Sequence, residues 1–140
     1  MNDFAQTMTP QDCLVAVMIA ESASDENLRT SELVTIERIV NHLPVFADFD
    51  QSRIPEISEL VLELFADEDG LDELFSILKA KMPEKLYQTA YALACDVAAA
   101  DGKLQEVEIA LLQEMRYQFG IPRLDAVAIE RAAAVRHTTF

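Results

Sequence analysis

Two short stretches of this chain place acids where acids are costly. In "AAADGKLQEVEIALLQEM", residues 98–115, Asp101 precedes Glu108 by seven residues; in "SASDENLRTSELVTIERI", residues 22–39, Asp25 precedes Glu32 by the same seven. Read as helices, steps of four, seven and eleven from Glu108 reach Leu112, Met115 and Phe119, and from Glu32 they reach Ile36, Ile39 and Leu43. Both glutamates therefore fall on the apolar stripe of their helix. A carboxylate on such a face is unfavourable unless it is ion-paired, hydrogen-bonded or bound to a metal. The chemistry to expect is oxygen ligation of a hard cation, Ca²⁺ or Mg²⁺.

Part of a calcium loop can be read directly. Asp101, Gly102, Leu104 and Glu108 match positions 5, 6, 8 and 12 of an EF-hand, but Val97 and Ala99 stand at positions 1 and 3, where oxygen ligands are required. The earlier copy has Glu21 and Asp25, with Glu26 in place of the glycine. Neither copy is a complete EF-hand. Two half-sites facing each other would still supply four carboxylates, Asp25, Glu32, Asp101 and Glu108, for an affinity of about 10⁻⁴–10⁻³ M. The competing account is helix capping, in which a glutamate bonds back to the cap residue's N–H. The reciprocal box wants Ser or Thr three residues earlier, and Arg29 and Gln105 stand there. Asp25 and Asp101 also suit ordinary turns.

These acids sit in a chain whose periodicity is helical throughout, with no sustained strand-like alternation. Thr9-Pro10 caps a first helix reaching about Ala23. A second runs from about Thr30 to His42, and the irregular "PVFADFDQSR" leads to a third over about Pro55–Ala66. "DEDG" ends that helix, with a fourth over about Leu71–Lys81. Pro83 opens a fifth through "EKLYQTAYALACDVAAA", a sixth covers about Gln105–Phe119 and is closed by Gly120, and Pro122 starts a seventh. The expectation is an all-α bundle of about seven helices in a single domain, residues 1–140. A shift of 76 residues lays Ala16, Ala23, Asp25, Leu28 and Glu32 on Ala92, Ala99, Asp101, Leu104 and Glu108. One helical hairpin is thus written twice, at about 13–45 and 89–121, and two copies pack most simply about a pseudo-twofold axis.

The duplicated Ala-x-Asp-x-x-Leu-x-x-x-Glu hairpin, clearest in "AAADGKLQEVE", resembles the tellurite-resistance TerB family across essentially the whole chain. The resemblance implies an all-helical fold with pseudo-twofold symmetry and acidic positions proposed to chelate metal, here Asp25, Glu32, Asp101 and Glu108. It further implies association with bacterial stress and chemical-resistance systems, with related modules beside co-chaperone domains. The first half-site departs from the pattern, with Glu26 where the second has Gly102.

Composition narrows the alternatives. The net charge of −14 is lopsided: residues 1–69 hold 15 acids and 3 bases, residues 70–140 hold 10 and 8. Nucleic acid and anionic membranes are poor partners for such a surface, whereas a cation or a basic protein surface suits it. No stretch approaches the roughly 20 apolar residues of a membrane span. The start carries no signal-peptide pattern, so a cytoplasmic location is expected, with Cys13 and Cys95 as buried free thiols. Two histidines, His42 and His137, without a Glu-x-x-His or a nearby Cys, supply neither a di-iron nor a zinc pattern. There is no phosphate loop and no nucleophile elbow. The chain reads as non-enzymatic: a weak divalent-cation binder or, in the alternative, an adaptor or co-chaperone-like interaction module whose acids are structural or meet a basic partner.

Overall fold

The computed structural model describes residues 3–24, 30–100 and 104–140. Its elements are α1 (Asp3–Gln6), α2 (Pro10–Ser22), α3 (Thr30–His42), α4 (Ile54–Phe65), α5 (Gly70–Lys81), α6 (Tyr87–Ala100), α7 (Glu106–Gln118) and α8 (Arg123–Arg136), with 3₁₀ turns at Pro44–Phe46, Gln51–Arg53 and Glu84–Leu86. No strand occurs among the described residues. The architecture is the expected all-α bundle, with one helix more than the seven expected, because the one-turn α1 precedes the Thr9 cap. Pro83 opens the Glu84–Leu86 turn instead of a helix, and α6 begins after it.

The organising element is α2. Its run "CLVAVMIA" is apolar on every side, which suits a helix surrounded by others and not one lying on a surface. From Asp12 to Ser22 every residue of α2 is buried, and α3, α4, α5, α6 and α7 all contact it, α6 most extensively. The covering helices are amphipathic. α4 turns Ile54, Ile57, Leu60, Val61 and Leu64 inward, and α5 contributes Leu74, Phe75 and Leu78. Phe75 meets Phe119 edge-on at 5.7 Å between ring centroids, joining the end of α7 to the same core. Gly120 closes α7 with φ at 59°, the left-handed conformation that favours glycine, and Ile121 N–H donates back to Arg116 O at 3.0 Å.

Both hairpins of the sequence repeat are present as α2–α3 and α6–α7 contacts. They are unequally placed, since α2 is buried all round whereas α6 leaves Gln88, Thr89 and Asp96 off the core. The residues that include the repeated aspartates, 25–29 and 101–103, lie outside the described residues. The repeat is thus a property of the sequence.

The α4–α5 turn depends on a glycine for space. A Cβ placed on Gly70 would lie 1.5 Å from the Leu64 carbonyl oxygen, so no side chain fits without moving the α4 backbone. Gly70→Ala is expected to cost about 1–3 kcal/mol, the range for overpacked cores, despite the better helix propensity of alanine. Urea unfolding would show it as a lower midpoint at unchanged slope; a wild-type midpoint would remove the steric argument.

Candidate functional site

Glu32 and Glu108 each occupy the third position of a helix, α3 and α7 respectively. Carboxylates in a first turn face the positive end of the helix dipole and the unsatisfied N–H groups there. Both are half-buried, at the N-terminal ends of buried stripes formed by Ile36 and Val40 and by Leu111, Met115 and Phe119. Leu104 and Val107 beside Glu108 are exposed, so the carboxylate lies at the mouth of the core and not deep within it. Glu108 Oε1 accepts from the backbone N–H of Gln105 at 3.3 Å, which is the glutamate half of a capping box made without Ser or Thr at the cap. Part of what holds Glu108 is therefore local. Asp25 and Asp101, the other two residues assigned from sequence, lie outside the described residues.

The residue that spacing undervalued is Glu21. It stands in the last turn of α2, fully buried, and among the described residues neither carboxylate oxygen has a hydrogen-bond partner. Burial, together with the Glu108 carboxylate, pushes its carboxyl up to about 9. A signal was available in the sequence: Glu21 is the one acid following an eight-residue apolar run, with Leu14, Val17 and Met18 on its own side. What the sequence does not reveal is that α2 is central, and hence that a residue on any of its faces is buried.

The donor types suit a hard cation and little else. Carboxylate oxygens are what Ca²⁺ and Mg²⁺ take, whereas softer ions want thiolate or imidazole. Burial pushes both free thiols, Cys13 and Cys95, up to about 12, so neither is a thiolate at neutral pH. Among the described residues no group of three or more His, Cys, Asp or Glu side chains is placed to hold an ion. Asp96 pairs instead with Arg136 at 2.5 Å and lies 3.6 Å from His137, tying α6 to the end of α8. His137 is half-buried in that contact. His42, at the end of α3, sits 2.6 Å from the Arg38 carbonyl oxygen. Tyr91 is core, hydrogen-bonded to Glu130, while Tyr117 is exposed. Asp67 and Glu68, after α4, line a cavity of about 290 Å³ with Ser24, Phe65, Val107 and Leu111.

The family model described as "Tellurite resistance protein TerB" matches residues 11–131. The chain belongs to the TerB family. No curated protein and no solved structure matches it. The match runs from the start of α2 into α8, so it spans both hairpins and the α4–α5 pair between them. In this TerB chain α1 and the residues after 131 lie outside the matched range. Among the described residues no helix is long and apolar enough to cross a membrane. In this TerB chain Glu21 stands in the last turn of α2, and Glu32 and Glu108 in the first turns of α3 and α7.

Proposed function

We propose that the protein is a non-enzymatic, cytoplasmic TerB domain that binds a divalent cation, Ca²⁺ or Mg²⁺, weakly through Asp25, Glu32, Asp101 and Glu108, in a stress or tellurite-resistance setting. One observation carries the reading: the same carboxylate is repeated at the third position of α3 and of α7, seven residues after an aspartate both times, half-buried in each case. Two such hairpin ends would together offer four carboxylates, with backbone carbonyls and water completing the six to eight oxygens Ca²⁺ takes.

The test is a thermal melt of chelator-treated protein in Ca²⁺, Mg²⁺ or Mn²⁺ at constant ionic strength, with Asp101→Ala and Glu108→Ala alongside. A cation at ten times its dissociation constant should add about 1.4 kcal/mol to the wild type. Both substitutions should abolish that gain. A purely capping Glu108 would instead cost about 0.5–2 kcal/mol with or without cation, and Asp101→Ala would leave any shift intact.

The second reading, an interaction module for a basic partner, is favoured by the cavity that Asp67 and Glu68 share with Val107 and Leu111. A net charge of −14 would draw a basic segment towards it, and the apolar wall would receive its anchor residue. On this reading, charge reversal at Asp67 and Glu68 abolishes binding of a Lys- and Arg-rich peptide and leaves cation-dependent stability unchanged.

A further inference from the structure

The end of α2 holds a carboxylate in the most unfavourable surroundings this fold offers. Glu21 is 0% exposed, and neither of its oxygens accepts a hydrogen bond from a described residue. It stands in the last turn of its helix, where the dipole is negative and repels a carboxylate. The charged neighbour that acts on it most strongly among the described residues is another carboxylate, Glu108, reached across the α2–α7 contact. Ser22 Oγ, one residue on, is also buried with no hydrogen-bond partner. Buried polar atoms are satisfied in the great majority of cases, and each exception requires a reason. Packing alone does not supply one here, because leucine or methionine in place of Glu21 would fill the same volume without its two unsatisfied oxygens.

A divalent cation would remove all three penalties together. It would coordinate the orphaned oxygens, separate the two carboxylates and lie against the negative end of α2. We propose that Glu21 is the inward ligand of the cation site and that Glu108 reaches the same ion from α7, so that the site joins the two hairpins instead of repeating within each. The assignment rests on the cation reading above. It adds a fifth carboxylate to the four of the sequence motif, and one that has no counterpart in the second hairpin, where Val97 occupies the equivalent place. The site is therefore asymmetric. Glu21 belongs to a fully packed helix, and the half-buried Glu108 to the first turn of α7.

Glu21→Gln tests this, because the amide keeps the shape and removes the charge. Mn²⁺ binding to the folded protein is followed by electron paramagnetic resonance, and thermal midpoints are taken with Ca²⁺, Mg²⁺ and chelator. The expected result is a loss of Mn²⁺ affinity of at least about tenfold, about 1.4 kcal/mol, together with loss of the cation-dependent rise in midpoint, while the chelator-treated midpoint does not fall below that of the wild type. Wild-type affinity in Glu21→Gln overturns the assignment and leaves the four-carboxylate reading standing. An equal fall in midpoint with and without cation also overturns it, since Glu21 would then be paired within the protein. A wild type that binds no Mn²⁺, Ca²⁺ or Mg²⁺ overturns both readings. Should Glu21→Gln not fold, Glu21→Asp replaces it, drawing the carboxylate back by one methylene; unchanged Mn²⁺ affinity there is the overturning result.

Discussion

Arg53→Ala is expected to cost about 3–5 kcal/mol, the range for leaving one member of a buried ion pair without its partner. The Arg53 side chain joins the N-terminal half of the core from outside. Its Nε donates to Asp12 Oδ1 at 3.0 Å and its Nη2 to Asp12 Oδ2 at 2.7 Å, a two-pronged contact that a lysine could not reproduce. The guanidinium also lies over the Phe4 ring, 5.0 Å from its centroid, which holds α1 against the turn before α4. Asp12 meanwhile completes the cap of α2: Thr9 Oγ1 accepts from the Asp12 N–H, and Asp12 Oδ2 accepts from the Thr9 N–H. The two partners differ in exposure, the Asp12 side chain at 0% and that of Arg53 at 31%. Removing arginine strands a carboxylate with no access to water, whereas removing aspartate leaves an arginine that can partly rehydrate. Asp12→Ala should therefore be the milder change, about 3 kcal/mol with the lost cap included. The double variant should cost clearly less than the two singles added. Denaturant unfolding of the four proteins decides it; additive losses would mean that the pair contributes nothing as a pair.

That pair marks where sequence reading stops. Thr9 and Pro10 announce the start of α2, and Gly120 announces the end of α7, because caps and left-handed closures are encoded within a few residues. The apolar run from Cys13 to Ala20 announces a buried helix in the same way. Asp12 at the third helical position completes a box of the Thr-x-x-Asp type and was legible in principle. Its partner was not. Arg53 lies 41 residues away in a stretch with no periodic signal, and only the approach of the Gln51–Arg53 turn to the start of α2 brings the two together. The candidate site divides along the same line. Glu32 and Glu108 could be placed on their helices from spacing alone, and they stand in the first turns expected. The stripe drawn from Glu32 through Leu43 reaches a residue the fold leaves exposed, and Leu104 and Val107 beside Glu108 are exposed too, so both glutamates sit at the edge of the core. Glu21 shows the opposite error. Its environment is set by α3, α4, α5, α6 and α7 closing around α2, a fact held by no local pattern.

Glu21 also makes the stability of the cation-free protein depend on pH in an unusual direction. Its carboxyl is held up to about 9 in the folded state against 4.5 as the ordinary value, through burial first and the Glu108 carboxylate second. Among the described residues Cys95 from α6 also interacts with it, itself protonated in this range. Between the two values the folded protein carries one proton more than the unfolded chain, so unfolding releases a proton and stability falls as pH rises. The contribution is fully present below about 4.5 and is lost progressively up to about 9, with a slope of about 1.4 kcal/mol per pH unit. Most carboxylates in proteins act in the opposite sense, losing stability towards acid. Chelator-treated wild type and Glu21→Gln should therefore diverge between pH 5.5 and 8.5, the wild type losing about 4 kcal/mol relative to the amide across those three units. Subtracting the variant's profile removes the contribution of every other group, which makes the difference specific to this side chain. Denaturant midpoints at four or five pH values are enough to measure it. Parallel profiles would show that the Glu21 carboxyl ionises as it would in water, and its burial beside Glu108 would then have no energetic consequence.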